Sequence, residues 1–318
     1  MTALAQRALD AAGIRESVDL VTPISDENAV NRSYLVQLHD GRRHVLRQYR
    51  WPYDQPDELR RPEKEAWLAE LLVKHGVPAP RTLARVQYNG GTVVLREFLP
   101  GRALGDLPPA SSSDAWRAAG ETLARIHNIR IGSTDRAGVI IGTEVRPFQE
   151  GGWGEWHLAN ALAHSRRIAA RGHYHVKPDR VARLFSRAVQ LLDARPIRLL
   201  HNDTHAWNIL VHQAEGRWRC TGWLDWEFAW MGDPAWDVAR LDLFRIRDIG
   251  KTPPAFQEGY GAARVPVVSE LYELAIMLWM SNQADDGDTT LLPTYRNAHE
   301  YLLHADATLM TLEDAIGC

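Results

Sequence analysis

The chain has 318 residues, 45% of them hydrophobic and 24% charged, which allows one or two globular domains and excludes a disordered or fibrous protein. Its 37 Lys and Arg against 40 Asp and Glu give a net charge of −3, so no basic excess points to nucleic acid. Two cysteines, Cys220 and Cys318, exclude a disulfide framework and a cysteine zinc site, and a reducing cytoplasm is the expected location.

Met1–Ala12 has apolar residues at helical spacing but no long apolar run, so no signal peptide is expected. Val18–Ile24 reads as a strand. Ser33–Leu38 and Arg43–Tyr49 alternate around Asp40-Gly41, a hairpin signal. A helix begins near Pro62 and carries Trp67, Leu68, Leu71 and Leu72 as its apolar stripe; Gly76, Pro78 and Pro80 end it. Thr82–Tyr88 and Thr92–Phe98 form a second hairpin about Asn89-Gly90-Gly91. Pro100-Gly101 and the run Leu107–Ser113 are the expected linker. Helices are predicted over Asp114–Ile129, Trp153–Ala170, Lys177–Asp193 and Ser269–Ser281, interrupted by a hairpin of Trp207–Gln213 and Arg219–Asp225 with Glu215-Gly216 at its turn. The longest apolar stretch, Leu271–Met280, is broken by Glu273 and is far shorter than the ~20 residues of a spanning helix. The expected plan is a small sheet domain over 1–99 and a larger, mainly helical domain over 100–318.

Chemistry concentrates in LLHNDTHAWNILV, Leu199–Val211. Asp203 and Asn208 lie five apart ahead of a strand, and Asp225 ends its hairpin partner. An amide oxygen and a carboxylate are hard ligands suited to Mg²⁺ on phosphate oxygens, and a further Asp can take the proton of an attacking hydroxyl. Protein kinases use such a set in phosphoryl transfer. His201 and His205 are four apart but lack the glutamate of a zinc-protease helix, so they read as structural. In the first domain Glu65 shares a helix face with Leu68 and Leu72. A carboxylate there needs a cation, and Arg47 in mid-strand is the candidate.

HNDTHAWNILV, followed by LDWEFAWMGDPAWDVA, resembles the aminoglycoside phosphotransferase and choline kinase family. Weaker matches in VNRSYLV, HVLRQY, KEAWLAELLVKHGVPAPR, VLREFLPG and LARIHNI extend the resemblance over most of the chain. The resemblance implies an α+β, bilobal, protein-kinase-like fold, with an antiparallel-sheet N-lobe and a mainly helical C-lobe, and an ATP- or GTP-dependent transfer to a small-molecule hydroxyl. By it, Asp203 would align or deprotonate the acceptor, Asn208 and Asp225 would hold Mg²⁺, Asp237 would anchor the catalytic loop, and His201 would pack within it. Arg47 with Glu65 would steady the nucleotide; Asn31 and Ser33, in the glycine-free segment Ser25–Ser33, would contact phosphates; and the segment with Glu97 and Phe98 would meet the base.

The chain has 12 tryptophans, six of them between Trp207 and Trp236. Trp153, Trp156, Trp207 and Trp230 are candidates for a cation-binding acceptor wall, with packing as the equal alternative; Glu227 and the run Asp285–Asp288 are candidates for attracting a cationic acceptor. An antibiotic, aminoglycoside-like acceptor is the favoured expectation, because the helical region is long and aromatic. A metabolic kinase acting on choline, homoserine, methylthioribose or an amino sugar is the alternative. A nucleotide-binding pseudokinase is the further reading, motivated by Arg47 and the missing glycines.

Overall fold

The computed structural model describes residues 1–25, 31–50, 60–108, 112–132, 136–172, 177–243, 252–283, 298 and 300–317. The acidic run Asp285–Asp288 lies outside these, as do residues 26–30 of the expected phosphate-covering segment.

In chain order the elements are α1 (Thr2–Ala11), β1 (Val18–Pro23), β2 (Arg32–Leu38), β3 (Arg43–Gln48), α2 (Arg61–Lys74), β4 (Thr82–Tyr88), β5 (Gly91–Glu97) and β6 (Arg102–Ala103). They continue with α3 (Ser113–His127), β7 (Gly138–Ile141), β8 (Glu144–Pro147), α4 (Trp153–Ala170), α5 (Pro178–Asp193), β9 (Arg198–Leu200), β10 (Ile209–Ala214), β11 (Arg217–Trp223) and β12 (Trp230–Gly232). The described helices after them are α6 (Ala235–Leu243), α7 (Pro254–Tyr260), α8 (Pro266–Gln283) and α9 (Ala305–Ile316). No helix among the described residues is long and apolar enough to cross a membrane.

The chain divides into two compact units. The first comprises Met1–Ala103, Ile141–Glu144 and Ile209–Glu227; the second comprises Leu104–Ile140, Val145–Asn208 and Phe228–Cys318.

The first unit is built on an antiparallel sheet of order β1-β2-β3-β5-β4. Alternation gives the inner strands β3 and β5 buried side chains on both faces, while β1 and β4 at the edges keep exposed residues. Leu46 and Leu95 pair across β3 and β5 and join Val36, Leu38, Val86 and Val93 in a core closed by Leu4, Ala5, Ala8 and Leu9 of α1. Arg47 and Arg96 alternate to the opposite face, where Glu65 of α2 meets Arg96. The turns fall at the expected glycines: Gly41 (φ 86°), Asn89-Gly90 (49°, 77°) and Glu215-Gly216 (52°, 74°) hold the left-handed backbone that tight hairpins need. The third of these turns joins β10 to β11, which with β6 form a second sheet in this unit.

The second unit packs helices around a short sheet of order β8-β7-β12-β9. Close approach requires glycine at two crossings. A Cβ on Gly120 of α3 would stand 2.2 Å from the Phe256 carbonyl of α7, and one on Gly154 of α4 would stand 2.4 Å from the Val189 carbonyl of α5.

An aromatic core holds this unit together. The Trp153 and Trp156 rings stack at 5.6 Å, and Trp230, Trp236, Phe148 and Tyr272 close round them. Gly232 on β12 makes room, since a Cβ there would lie 2.6 Å from the Trp153 ring. Trp153 is 1% exposed and cannot form an acceptor wall; Trp156 and Trp230 are half-buried edges of the same cluster. The local spacing could not separate wall from core, because the partners come from distant elements.

His157 stands edge-on to Trp153 with centroids 4.4 Å apart, and burial pushes its imidazole down to about 3. The unfolded chain therefore binds a proton below about 6.5 that the fold refuses, so this group's contribution favours the fold above about 6.5 and turns against it as pH falls toward 3. His157→Leu should remove that slope. Urea unfolding at pH 7 and pH 5 should show wild type losing about 2 kcal/mol more than the variant; equal losses would contradict the assignment.

Candidate active site

In the first unit a buried ionic network is centred on two carboxylates. Glu65 accepts from Arg96 at 2.7 Å and from the Tyr49 hydroxyl, while the Arg47 Nε stands 3.9 Å away. Arg47 instead donates to Asp225 at 2.6 Å and to Glu227 at 3.3 Å. The expected Arg47–Glu65 pair is thus present only as this long contact, and Arg96 is the tighter partner of Glu65. The cause is register: Arg96 lies opposite Val45, on the same sheet face as Arg47, and reaches the helix carboxylate directly. Burial alone would raise the Glu65 carboxyl, yet the Arg96 and Arg47 guanidinia hold it down at about 2.

Glu227 also corrects an expectation. It is buried, with its carboxylate accepting from Asn31 Nδ2 at 3.0 and 3.1 Å, from Arg61 at 2.9 Å and from Arg47. Burial and the Asp225 charge push it up to about 7, against the pull of Arg47 and Arg61. Enclosed in this way, it presents no carboxylate to an acceptor. Asn31 is committed to the same hub, and its side-chain oxygen accepts the Arg50 N–H at 3.2 Å. Ser33 lies in β2 opposite Arg47, its N–H bonded to Ser25 Oγ. Glu97 pairs with Arg81 at 2.9 Å, and Phe98 lies 4.0 Å under the Arg43 guanidinium. Asp225 has a left-handed backbone (φ 67°), tolerable for Asp, and keeps 28% of its side chain exposed.

Breaking the Glu65 pair should be costly. Arg96→Met strands a buried charge, which typically costs about 3–5 kcal/mol. Urea melts should show that loss, and adding Glu65→Gln should return most of it. Melts unchanged by Arg96→Met would refute the pairing.

The second unit holds the loop after β9. Asp237 of α6, fully buried, accepts the backbone N–H groups of His201 at 2.7 Å and Asn202 at 2.8 Å. It also meets His127 Nε2 at 3.1 Å, and its carbonyl accepts the Thr204 hydroxyl at 2.7 Å. Asn202 takes φ 61°, and its side chain bridges the Phe228 carbonyl and the Trp236 indole N–H. Buried His201 receives the Asp203 N–H on Nδ1 at 3.2 Å.

Asp203 stands at the tip of this loop with 18% of its side chain exposed. Arg240 donates to its Oδ1 at 2.8 Å, and Asn208 Nδ2 reaches its carbonyl at 3.0 Å and its Oδ2 at 3.3 Å. Burial would raise the Asp203 carboxyl, but the Arg240 guanidinium, with His205 and His201, holds it below the usual carboxylate range. Trp207 is half-buried, and its indole fills the space where Gly105 lacks a Cβ. A cavity of about 310 Å³ in this unit is lined by His127, Tyr260, Arg195, Arg198 and Arg264, among others; Asp203 is not part of its lining.

Sequence reasoning missed Tyr49, Arg61, Arg96 and Arg240. The first three act through long-range pairing and leave no local signal. Arg240 does leave one, since it lies three residues after Asp237 and so on the same helix face. Among the described residues no group of three or more His, Cys, Asp or Glu side chains is arranged to hold a metal. The donor chemistry of Asn208 and Asp225 taken singly suits Mg²⁺: the Asn208 amide nitrogen is committed to Asp203, which leaves its oxygen as donor, and Asp225 brings a partly exposed carboxylate.

A family model described as the phosphotransferase enzyme family, APH, matches residues 21–274. Acyl-CoA dehydrogenase family member 11 from Homo sapiens is 25% identical over 224 residues, 67% of this chain and 26% of that protein; the Pongo abelii protein is 26% identical over 207 residues, 62% and 24%. The chain thus spans about a quarter of the length of these curated relatives. Among solved structures, aminoglycoside phosphotransferase APH(4)-Ia superposes with a TM-score of 0.69 at 18% identity, covering 96% of this chain and 99% of that one. A thermostable mutant of it, in ternary complex with ADP and hygromycin B, gives 0.65 at 20% identity, covering 94% and 97%. A putative fructosamine-3-kinase from Haemophilus somnus 129PT gives 0.63 at 14% identity, covering 95% and 97%. The fold is therefore the kinase-like α+β fold of these proteins.

Proposed function

The chain belongs to the phosphotransferase enzyme family, and from that premise we propose that it moves the γ-phosphoryl group of ATP to a hydroxyl of a small organic acceptor, with Asp203 aligning that hydroxyl. Small-molecule O-phosphotransfer is the reaction class that membership carries. The observation that supports Asp203 is its placement: a partly exposed carboxylate on a loop whose backbone is pinned by a buried Asp. Its low basicity suits a loose transition state, in which the acceptor is oriented early and loses its proton late.

Asn208 and Asp225 would each offer Mg²⁺ an oxygen ligand, and the ion when bound neutralises charge on the phosphate oxygens. Arg47, a planar fork with a permanent charge, is the residue for the nucleotide phosphates, while Arg96 and Tyr49 hold Glu65 in place beside it. Most of the rate would come from positioning and electrostatics.

For the acceptor, an aminoglycoside-like molecule keeps support from the fold neighbour that binds hygromycin B. The burial of Trp153 and Glu227 removes two of the reasons for it. A metabolic hydroxyl compound is the second reading, favoured by the fructosamine-3-kinase neighbours and by relatives named as acyl-CoA dehydrogenase family members. The test is turnover of MgATP and MgGTP against aminoglycosides, ketosamines, hydroxyacyl thioesters, choline and homoserine, with product mass followed and Asp203→Ala as control. A phosphorylated product absent in the variant names the acceptor. Nucleotide binding with no product from any acceptor would favour a pseudokinase.

A further inference from the structure

We propose that Arg240 is a positioning residue that fixes the Asp203 carboxylate, clamping Oδ1 and leaving Oδ2 as the oxygen presented to the acceptor hydroxyl. The proposal rests on the phosphotransferase reading for the role of Asp203, and on geometry within the second unit for the clamp.

An Asp side chain on a loop has two side-chain torsions, and a productive hydroxyl contact requires both to be set. The two oxygens of Asp203 are held unequally. Oδ1 takes a charge-assisted bond from Arg240 at 2.8 Å. Oδ2 has only the long Asn208 contact at 3.3 Å and the His205 ring nitrogen at 3.8 Å. The guanidinium is itself held: it is buried, and its carbon stands 5.2 Å from the ring centre of half-buried Trp279 on α8. Arg240 and Asp237 lie three apart on one face of α6. One residue of that face pins the loop backbone at His201 and Asn202, and the other pins the side chain at the loop tip. A single helix thus sets both the height and the rotation of the carboxylate.

The test uses the full chain with Arg240→Met, Arg240→Lys and Asp203→Asn. Steady-state turnover of MgATP is read with the best acceptor, or with water as acceptor, and crystal structures of both Arg240 variants are read for the Asp203 side-chain torsions. Arg240→Met should rotate the carboxylate and lower kcat at least 30-fold, with KM for ATP within threefold of wild type. Arg240→Lys should keep the rotamer and recover most of kcat. In the Asp203→Asn background Arg240→Met should cost no further activity. An unrotated Asp203 in Arg240→Met overturns the proposal whatever the rates, as does an equal loss in Lys and Met variants that follows a fall in Tm. A wild type without any turnover, but with the rotation seen, would sink the phosphotransferase reading and leave the clamp standing.

Discussion

Asp203→Asn should lower kcat by about 10²–10⁴-fold, the range a positioned general base supplies, with nucleotide affinity and Tm close to wild type. The asymmetry follows from what the side chain touches. Its carboxylate contacts are Arg240, Asn208 and His205, all within its own unit. The amide keeps one oxygen for Arg240 and loses the carboxylate oxygen proposed to align the hydroxyl. Steady-state kinetics beside nucleotide titration would check this, and a kcat within threefold of wild type would remove Asp203 from the chemistry. Because Asp203 sits below the usual carboxylate range, it stays ionised on acidification to pH 5. An acidic limb in the rate above that pH would belong to another group.

Asp237→Ala should be the most destabilising single change in the second unit. It strands two buried backbone N–H groups and the His127 ring nitrogen. Each unsatisfied buried donor costs about 1–3 kcal/mol, so the sum is about 3–9 kcal/mol, comparable to the whole stability of a typical domain. Asp237→Asn should be milder, since its amide oxygen still accepts. Hydrogen exchange at His201 and Asn202, with urea melts, is the measurement. Slow exchange and an unchanged midpoint in the alanine variant would show that the loop is held elsewhere.

The legible parts of this molecule are those with local signals. Asp40-Gly41, Asn89-Gly90 and Glu215-Gly216 marked three hairpins, because few residues take a positive φ. The stripe of α2 marked the first unit's helix, and the spacing of Asp203, Asn208 and Asp225 marked the segment on which the proposed chemistry rests. What escaped was set by contacts distant in sequence. The β7–β8 hairpin and the three-residue strands β9 and β12 are too short for a period to show. Arg96 captured Glu65 because of strand register, and Glu227 was drawn into a hub with Asn31 and Arg61 that lie 196 and 166 residues away. Trp153 read equally as wall or core until Gly232 and Tyr272 enclosed it.

The most direct test of the account follows the label of γ-³²P-ATP in wild type and Asp203→Asn, both shown to bind MgATP. The account predicts that the label appears in a small organic product with wild type and stays on nucleotide with the variant. Equal transfer by the two proteins would contradict it.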